Sequence, residues 1–453
     1  MFPRLDNSWI KPLPFRLRPP PTAFVLATAL AALATGAVTR ADAEARLLVE
    51  VESGKVLQAD NATSPWYPAS VTKLTTLYVT LKAIKAGRIT LDTLFTVSPN
   101  AVAQQPSKMG LPLGTQVTVD NAIKMMMVKS ANDMAVLLAE GVSGSIEKFA
   151  DEMNDAAHQL GMTQTSYVNP NGLPAEGQIT SARDLAILAR ALIREFPEYD
   201  LYWHIPAIKF GKRVMHNFNP LIEHFPGADG MKTGFICASG FNLVATATRN
   251  DKRLIAVVLG APSSAARTVK AAQMLEKGFN GGSLTWLTPA LGTVDELQPI
   301  DAPPPNLHEE ICGKHHKKGR AENEEADAAE GSGDPASPQA FMLSNLHGSN
   351  PKSGPLLADS MPSLIPPIVV FTGPPKGAGA TQFASTDPKL RAALLAAKSG
   401  QSAAGALASG KPAGTTFGVS SAPSGDALAP STSDQVPLPR PRPKLAKLKP
   451  AIP

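Results

Sequence analysis

The 453-residue chain carries 42 prolines and a net charge of +5, and both are unevenly spread. Residues 286–453 hold 24 of the prolines, while residues 1–43 hold five Lys/Arg against two Asp/Glu, so the basicity belongs mainly to the N-terminus. A folded region without a basic face loses the main warrant for nucleic-acid binding, and two cysteines exclude a disulfide-built fold or a multi-cysteine zinc site.

Arg4, Lys11, Arg16 and Arg18 precede an apolar stretch, Ala23 to Val38, which is followed by small residues ending Ala41-Asp42-Ala43. Basic, apolar, then small residues is the order of a secretory signal, here 1–43 with cleavage after Ala43. An uncleaved anchor is the alternative, although the run is a little short for a bilayer span. From Ala45 the chain alternates, and Arg46 to Val51 followed by Val56 to Gln58 around Ser53-Gly54 predicts a hairpin. Helical spacing runs over Ser70 to Ile84 and over Asp120 to Lys129, the latter capped by its aspartate. Ser145 caps a helix that Gly161 stops, and Ser181 to Asp184 reads as a capping box before Leu185 to Arg194. Strands are predicted at Gly230 to Phe235, Phe241 to Thr248 and Leu254 to Gly260, the last two joined by an Asn250-Asp251 turn, and Ala265 to Phe279 is a final helix. The sum is an α+β domain over 44–285. Residues 286–453 read as a Pro-, Ala- and Ser-rich tail, too poor in apolar side chains to offset its chain entropy and so expected to be disordered.

Three short motifs in the folded part carry chemistry. In Ser70-Val71-Thr72-Lys73 a hydroxyl and an amine share one helix face, and the amine can take the serine's proton once burial or nearby charge lowers its basicity. Alone, the pair is as well explained by a capping serine and a surface lysine. Ser130-Ala131-Asn132 sits at a helix junction, where a hydroxyl and an amide can reach a cleft or can bond the local backbone of a plain turn. Lys232-Thr233-Gly234 follows Gly227 to Met231 and superficially suggests a P-loop, but Met231 breaks the spacing and strands follow where a helix is needed. On a strand, lysine and threonine make an anion site, and the glycine lets an extended substrate approach the backbone.

In this order, on a helix start, an interhelical turn and a strand, the motifs resemble those of the penicillin-recognising serine enzymes. Pro68 to Leu74, Ser130 to Ala135, Asn169 to Leu173, Thr180 to Ala186 and Gly227 to Gly234 are more closely similar to the low-molecular-mass serine D-alanyl-D-alanine carboxypeptidases, over residues 44–285. The resemblance implies a β-lactamase/transpeptidase-like fold, with an antiparallel sheet packed with helices and a helical subdomain. It also implies that Ser70 is the nucleophile, Lys73 its base and Ser130 a proton relay. Asn132 would position the peptide, Lys232 and Thr233 would bind its carboxylate, and the backbone of Phe235 beyond Gly234 would complete an oxyanion hole with that of Ser70. Its partners would be peptidoglycan stem peptides and β-lactams, with no cofactor and no metal, in the periplasm.

The chain departs from the family at Ala131 and Phe235, and no arginine occupies Asn217 to Asn219. The alternatives are a D,D-endopeptidase with the same motifs and a non-catalytic peptidoglycan binder; a class A β-lactamase lacks its E-x-x-L-N glutamate here. His204, His216 and His224 read as structural or surface residues. Cys237 reads as a buried thiol, with a bond to Cys312 as the alternative. Arg440, Arg442, Lys444, Lys447 and Lys449 offer a weak, salt-sensitive membrane-surface contact or merely a solvated terminus.

Overall fold

The computed structural model describes residues 44–281, 291–313 and 365–374. The expected signal, the basic C-terminus and most of the expected tail lie outside the described residues. An antiparallel sheet of five strands is the frame: β1 (Ala45–Glu50), β2 (Val56–Asp60), β7 (Ala228–Ile236), β8 (Gly240–Arg249) and β9 (Lys252–Ala261), in the order β2-β1-β9-β8-β7. The shorter strands β3 (Leu94–Thr96) and β4 (Gln116–Thr118) pair with each other, and β5 (Ala207–Phe210) pairs with β6 (Arg213–His216). Between β2 and β7 lies the helical part: α1 (Lys73–Lys85), α2 (Val119–Val128), α3 (Asn132–Ser143), α4 (Ile146–Gln159) and α5 (Ala182–Glu195). Helix α6 (Ser264–Asn280) closes the domain.

Both faces of the sheet are covered. In β9, Leu254, Ala256 and Val258 belong to the cluster that holds Ala271, Ala272 and Leu275 of α6. Their neighbours Ile255, Val257 and Leu259 belong instead to the cluster of the helical part. Two buried faces explain why Leu254 to Leu259 is a continuous apolar run and not an alternation. Asn250 and Asp251 turn β8 into β9 with positive φ of 49° and 60°, a conformation these two residue types tolerate well.

Several local expectations need correction. Thr118, not Asp120, caps α2, since its hydroxyl accepts from the Asn121 N–H. Asp120 is buried in the first turn and pairs with Lys124 at 2.6 Å and with the Tyr202 hydroxyl at 2.7 Å. Ser181 does cap α5, but the Asp184 carboxylate accepts from Gln164 N and Thr165 Oγ1, so the reciprocal bond of a capping box is not made. Sequence reading also passed over β3, β4, β5 and β6, whose strands of three or four residues are too short to show a period.

Two described pieces of the 286–453 stretch, 291–313 and 365–374, are ordered where disorder was expected. Gly292 and Thr293 join the hairpin edge, where Val56 N donates to Gly292 O and Val294 N to Gly54 O, and Val294 is fully buried. A short helix, His308–Cys312, ends in a disulfide between Cys312 and Cys237, so Cys237 is not a thiol. Ile368–Val370 forms β10, parallel to β5, with Ile365, Ile368 and Val370 buried. The physical reason is that a few apolar residues in a polar stretch suffice when a preformed groove and an unpaired strand edge receive them.

Candidate active site

Ser70 lies in a 3-10 turn, Ala69–Thr72, that runs directly into α1. The turn is pressed against β7, the edge strand of the sheet. At Gly234 an added Cβ would lie 2.8 Å from Ser70 N and 2.9 Å from Val71 N, so only glycine lets strand and turn approach this closely. Asn242 of β8 fastens the chain just before the serine by donating to Tyr67 O at 3.0 Å and Pro68 O at 3.1 Å. On the other side Gly172, at φ +82°, meets Ala69, where an added Cβ would fall 1.8 Å from the carbonyl oxygen.

One helical turn on, Lys73 is fully buried with Nζ 2.8 Å from Ser70 Oγ. The same amine reaches Asn132 Oδ1 at 2.7 Å and the backbone carbonyl of Asn171 at 2.9 Å. Asn132 opens α3 and its amide group donates in turn to Gln105 O at 2.8 Å. Ser130 occupies the link between α2 and α3 with a left-handed φ of 57°. That conformation costs a non-glycine residue roughly 1–2 kcal/mol, and such strain persists where surrounding contacts over-determine the backbone. It brings the Ser130 hydroxyl to 3.0 Å from Lys232 Nζ.

Lys232 also donates to the Thr233 carbonyl at 3.1 Å. Thr233 is buried at the strand edge, opposite Leu243 in register. The Phe235 ring packs at a tilt of 31° against Phe241, centroids 4.2 Å apart, within the cluster shared with α6. Its side chain is thereby committed to packing, and its backbone is what it can offer the cleft. Ser70, Lys73, Ser130, Asn132, Lys232, Thr233, Gly234 and Phe235 therefore converge, from segments up to 165 positions apart in sequence.

Two contributors escaped sequence reading. Asn171 acts through its main-chain carbonyl, which no side-chain pattern reveals. Asp133 accepts from Met109 N at 3.0 Å and Gly110 N at 2.9 Å, which fixes the loop that also carries Gln105 and Ser107. Burial pushes the Asp133 carboxyl above the ordinary aspartate range, against the opposing pull of these N–H donors. At Asn217 to Asn219, where no arginine is found, Phe218 O accepts from Arg267 at 3.4 Å and the Phe218 ring lies 5.6 Å from Lys129 Nζ. Of the histidines, His204 is buried and His216 faces Glu223 at 3.8 Å; among the described residues no His, Cys, Asp and Glu cluster could hold a metal.

A two-faced antiparallel sheet whose edge strand carries Lys-Thr-Gly beside a Ser–Lys helix turn defines the penicillin-binding fold. The sequence model of the D-alanyl-D-alanine carboxypeptidase family matches residues 32–263, and the chain belongs to that family. It is 40% identical over 259 residues to the D-alanyl-D-alanine carboxypeptidase DacC of Escherichia coli, covering 56% of this chain and 65% of the relative. Against the carboxypeptidase DacA of Haemophilus influenzae the identity is 38%, over 52% of this chain and 62% of the relative. The chain thus spans somewhat under two thirds of the length of these relatives. Among solved structures, penicillin binding protein 5 of H. influenzae superimposes with a TM-score of 0.50 at 37% identity, covering 52% of this chain and 70% of that one.

Proposed function

We propose that the protein hydrolyses the terminal D-Ala-D-Ala bond of peptidoglycan stem peptides through an acyl-enzyme on Ser70. The observation that carries this reading is the pair of buried hydroxyl–amine contacts, Ser70 with Lys73 at 2.8 Å and Ser130 with Lys232 at 3.0 Å, at one edge strand. Ser70 Oγ attacks the carbonyl carbon of the penultimate D-alanine, and its proton passes to Lys73 Nζ. A lysine doing this must be neutral at that moment, and removal from water is the general way to make it so. Asn132 Oδ1 and the Asn171 carbonyl orient the amine. The oxyanion is held by the N–H groups of Ser70 and Phe235. Lys232 and Thr233 bind the terminal carboxylate, and Ser130 delivers a proton to the departing amine as the C–N bond breaks. Water then cleaves the ester and returns Ser70. A β-lactam enters by the same attack, so it acylates the same serine.

The test is covalent labelling by a fluorescent penicillin with mass spectrometry of the modified peptide, together with D-alanine release from a pentapeptide stem. Labelling at Ser70 and release of one D-alanine are expected. A wild-type protein that neither labels nor releases D-alanine overturns the proposal and leaves a binding role.

The basic-then-apolar order of residues 1–43 supports export to the periplasm. Among the described residues no helix is long and apolar enough to cross a membrane. Cell fractionation with and without residues 1–43 checks export. Loss of vesicle co-sedimentation on removing Arg440 to Lys449 checks the membrane-surface contact.

A further inference from the structure

The short strand β10 comes from a proline-rich stretch, yet it lies between the two walls that carry Ser130 and Lys232. On one flank it is bonded to the Ser130 wall. Phe371 N donates to Asn121 Oδ1 at 3.1 Å, and Gly373 N donates to Gln116 O at 2.7 Å. Asn121 is buried in the first turn of α2, the helix that ends at Val128, two residues before Ser130. Its Nδ2 donates to the hydroxyl of the capping Thr118 at 2.7 Å, and Gln116 opens β4, the strand that ends at that cap. On the other flank β10 pairs in parallel with β5, Ile368 beside Ile208 and Val370 beside Phe210. Strand β5 pairs with β6, and the chain leaving β6 is tied to β7. Asn217 Nδ2 donates to Ile205 O at 2.9 Å, and Asn219 Nδ2 donates to Gly230 O at 2.8 Å, two residues before Lys232. Ile368 and Val370 point into the cluster of the helical part while Val369 between them is exposed, so the strand is seated by one face.

Across the cleft these two walls meet at the 3.0 Å contact between Ser130 Oγ and Lys232 Nζ. Ser130 holds its left-handed backbone only because its surroundings impose it, and those surroundings begin with the placement of α2. We propose that residues 365–374 are a positioning clamp for the release of D-alanine: they fix α2 against β5, β6 and β7 and so keep Ser130 where it can protonate the departing amine. A second tie crosses the same gap, the Tyr202 hydroxyl on Asp120 at 2.7 Å. Removing the strand should therefore let α2 shift without dissolving the fold. The chemistry gives such a shift its own signature. An amide nitrogen leaves only once it has received a proton, whereas a thiolate leaves without one. Misplacing Ser130 should penalise the amide and spare an analogue in which sulfur replaces the departing nitrogen. A general loss of folded protein would lower both alike.

This inference rests on the carboxypeptidase reading, and the experiment separates the two. Two variants of the full chain are compared with wild type: the double variant Ile368→Asp, Val370→Asp, which unseats the strand, and Phe371→Pro, which removes the N–H given to Asn121 and no buried side chain. The readout is the ratio of kcat/KM for a D-Ala-D-Ala peptide to that for its sulfur analogue, with penicillin labelling of Ser70 in parallel. The ratio should fall about tenfold in the double variant and about threefold in Phe371→Pro, the range expected when a positioned group moves by a fraction of an ångström. Hydrogen exchange, read without substrate, should accelerate at residues 127–132 and stay as in wild type along α1. An unchanged ratio in both variants with Ser70 still labelled overturns the proposal, as do equal losses on the two substrates. If the double variant no longer labels, Phe371→Pro alone decides. Absence of labelling and turnover in wild type would overturn the carboxypeptidase reading, and the exchange at residues 127–132 would still judge the clamp, unchanged exchange in both variants overturning it.

Discussion

On the helical side of the cleft, buried Lys73 is fixed by Ser70, Asn132 and Asn171, and Asn132 in turn by the backbone carbonyls of exposed Gln105 and buried Ser107. On the far side, the fastenings of residues 303–312 include a backbone bond to Ala238, buried Leu307 with Ile311 packed on the core, and a disulfide. The first wall is over-determined, because an unpaired polar group there would cost roughly 1–3 kcal/mol, and each contact removed leaves others in place. The second wall adds a covalent link to its apolar footprint. The candidate nucleophile and base thus sit on the redundant wall, and Pro304 of the other lines a cavity beside them.

The sharpest way to break this contrast is at the nucleophile. Ser70→Ala and Lys73→Ala should each lower turnover of a D-Ala-D-Ala peptide by about a thousandfold or more, and the double variant should be hardly worse, since the two groups act as one unit. Steady-state hydrolysis checks it, and near-normal activity of Ser70→Ala would sink the assignment. At the anion site, Lys232→Ala should cost about 3 kcal/mol of transition-state stabilisation with the free acid. Much less should be lost with a C-terminally amidated peptide, and equal losses on both would show that Lys232 serves something else.

Gly234→Ala tests whether the redundant wall tolerates displacement. With a Cβ 2.8 Å from Ser70 N, the turn or the strand must shift. A misplacement approaching 1 Å is expected to lower kcat/KM by about a hundredfold. Removing the disulfide tests the second wall. Cys237→Ser, Cys312→Ser opens a link between residues 75 apart in sequence, which should lower stability by roughly 2–4 kcal/mol. Denaturant titration reads that loss, and hydrogen exchange at the Leu307 amide should accelerate ahead of the Lys73 helix. Equal acceleration in both places would erase the contrast.

The smallest effect concerns Asp133. Its folded-state carboxyl is raised by burial, so the stability it contributes is fully present below the ordinary aspartate range and is lost as pH climbs through the raised value. Asp133→Asn should flatten the stability curve across that weakly acid window in urea titrations at several pH values. A curve of unchanged slope would mean that the N–H donors from Met109 and Gly110 outweigh burial.

Much of the site was legible because its chemistry is local. Ser70 and Lys73 announce themselves by one helical turn, Lys232-Thr233-Gly234 by a hydroxyl, a charge and a missing side chain on a strand. Even so, the exposed-cap and plain-turn readings of each motif fell only when all three converged. Asn171 stayed hidden because its contact is a carbonyl oxygen that any residue carries. Asp120 misled as a cap, since a carboxylate near a helix start serves equally for a buried pair with Lys124 and Tyr202.

By itself the sequence determined the first hairpin, the main helices, the long strands β7 to β9 and the motif residues that meet at the candidate site, since helix period, strand alternation and turn chemistry are set within a few neighbouring residues. Only the tertiary structure decided that Cys237 meets Cys312, that Ile368 to Val370 add to β5, and that Pro304 faces the nucleophile's cavity. Those contacts join segments separated by long stretches of chain, and nothing in a proline-rich stretch says which distant groove will bury its occasional leucine or isoleucine. Pairing at that range is fixed by the shape and unpaired edges of a domain that has already folded.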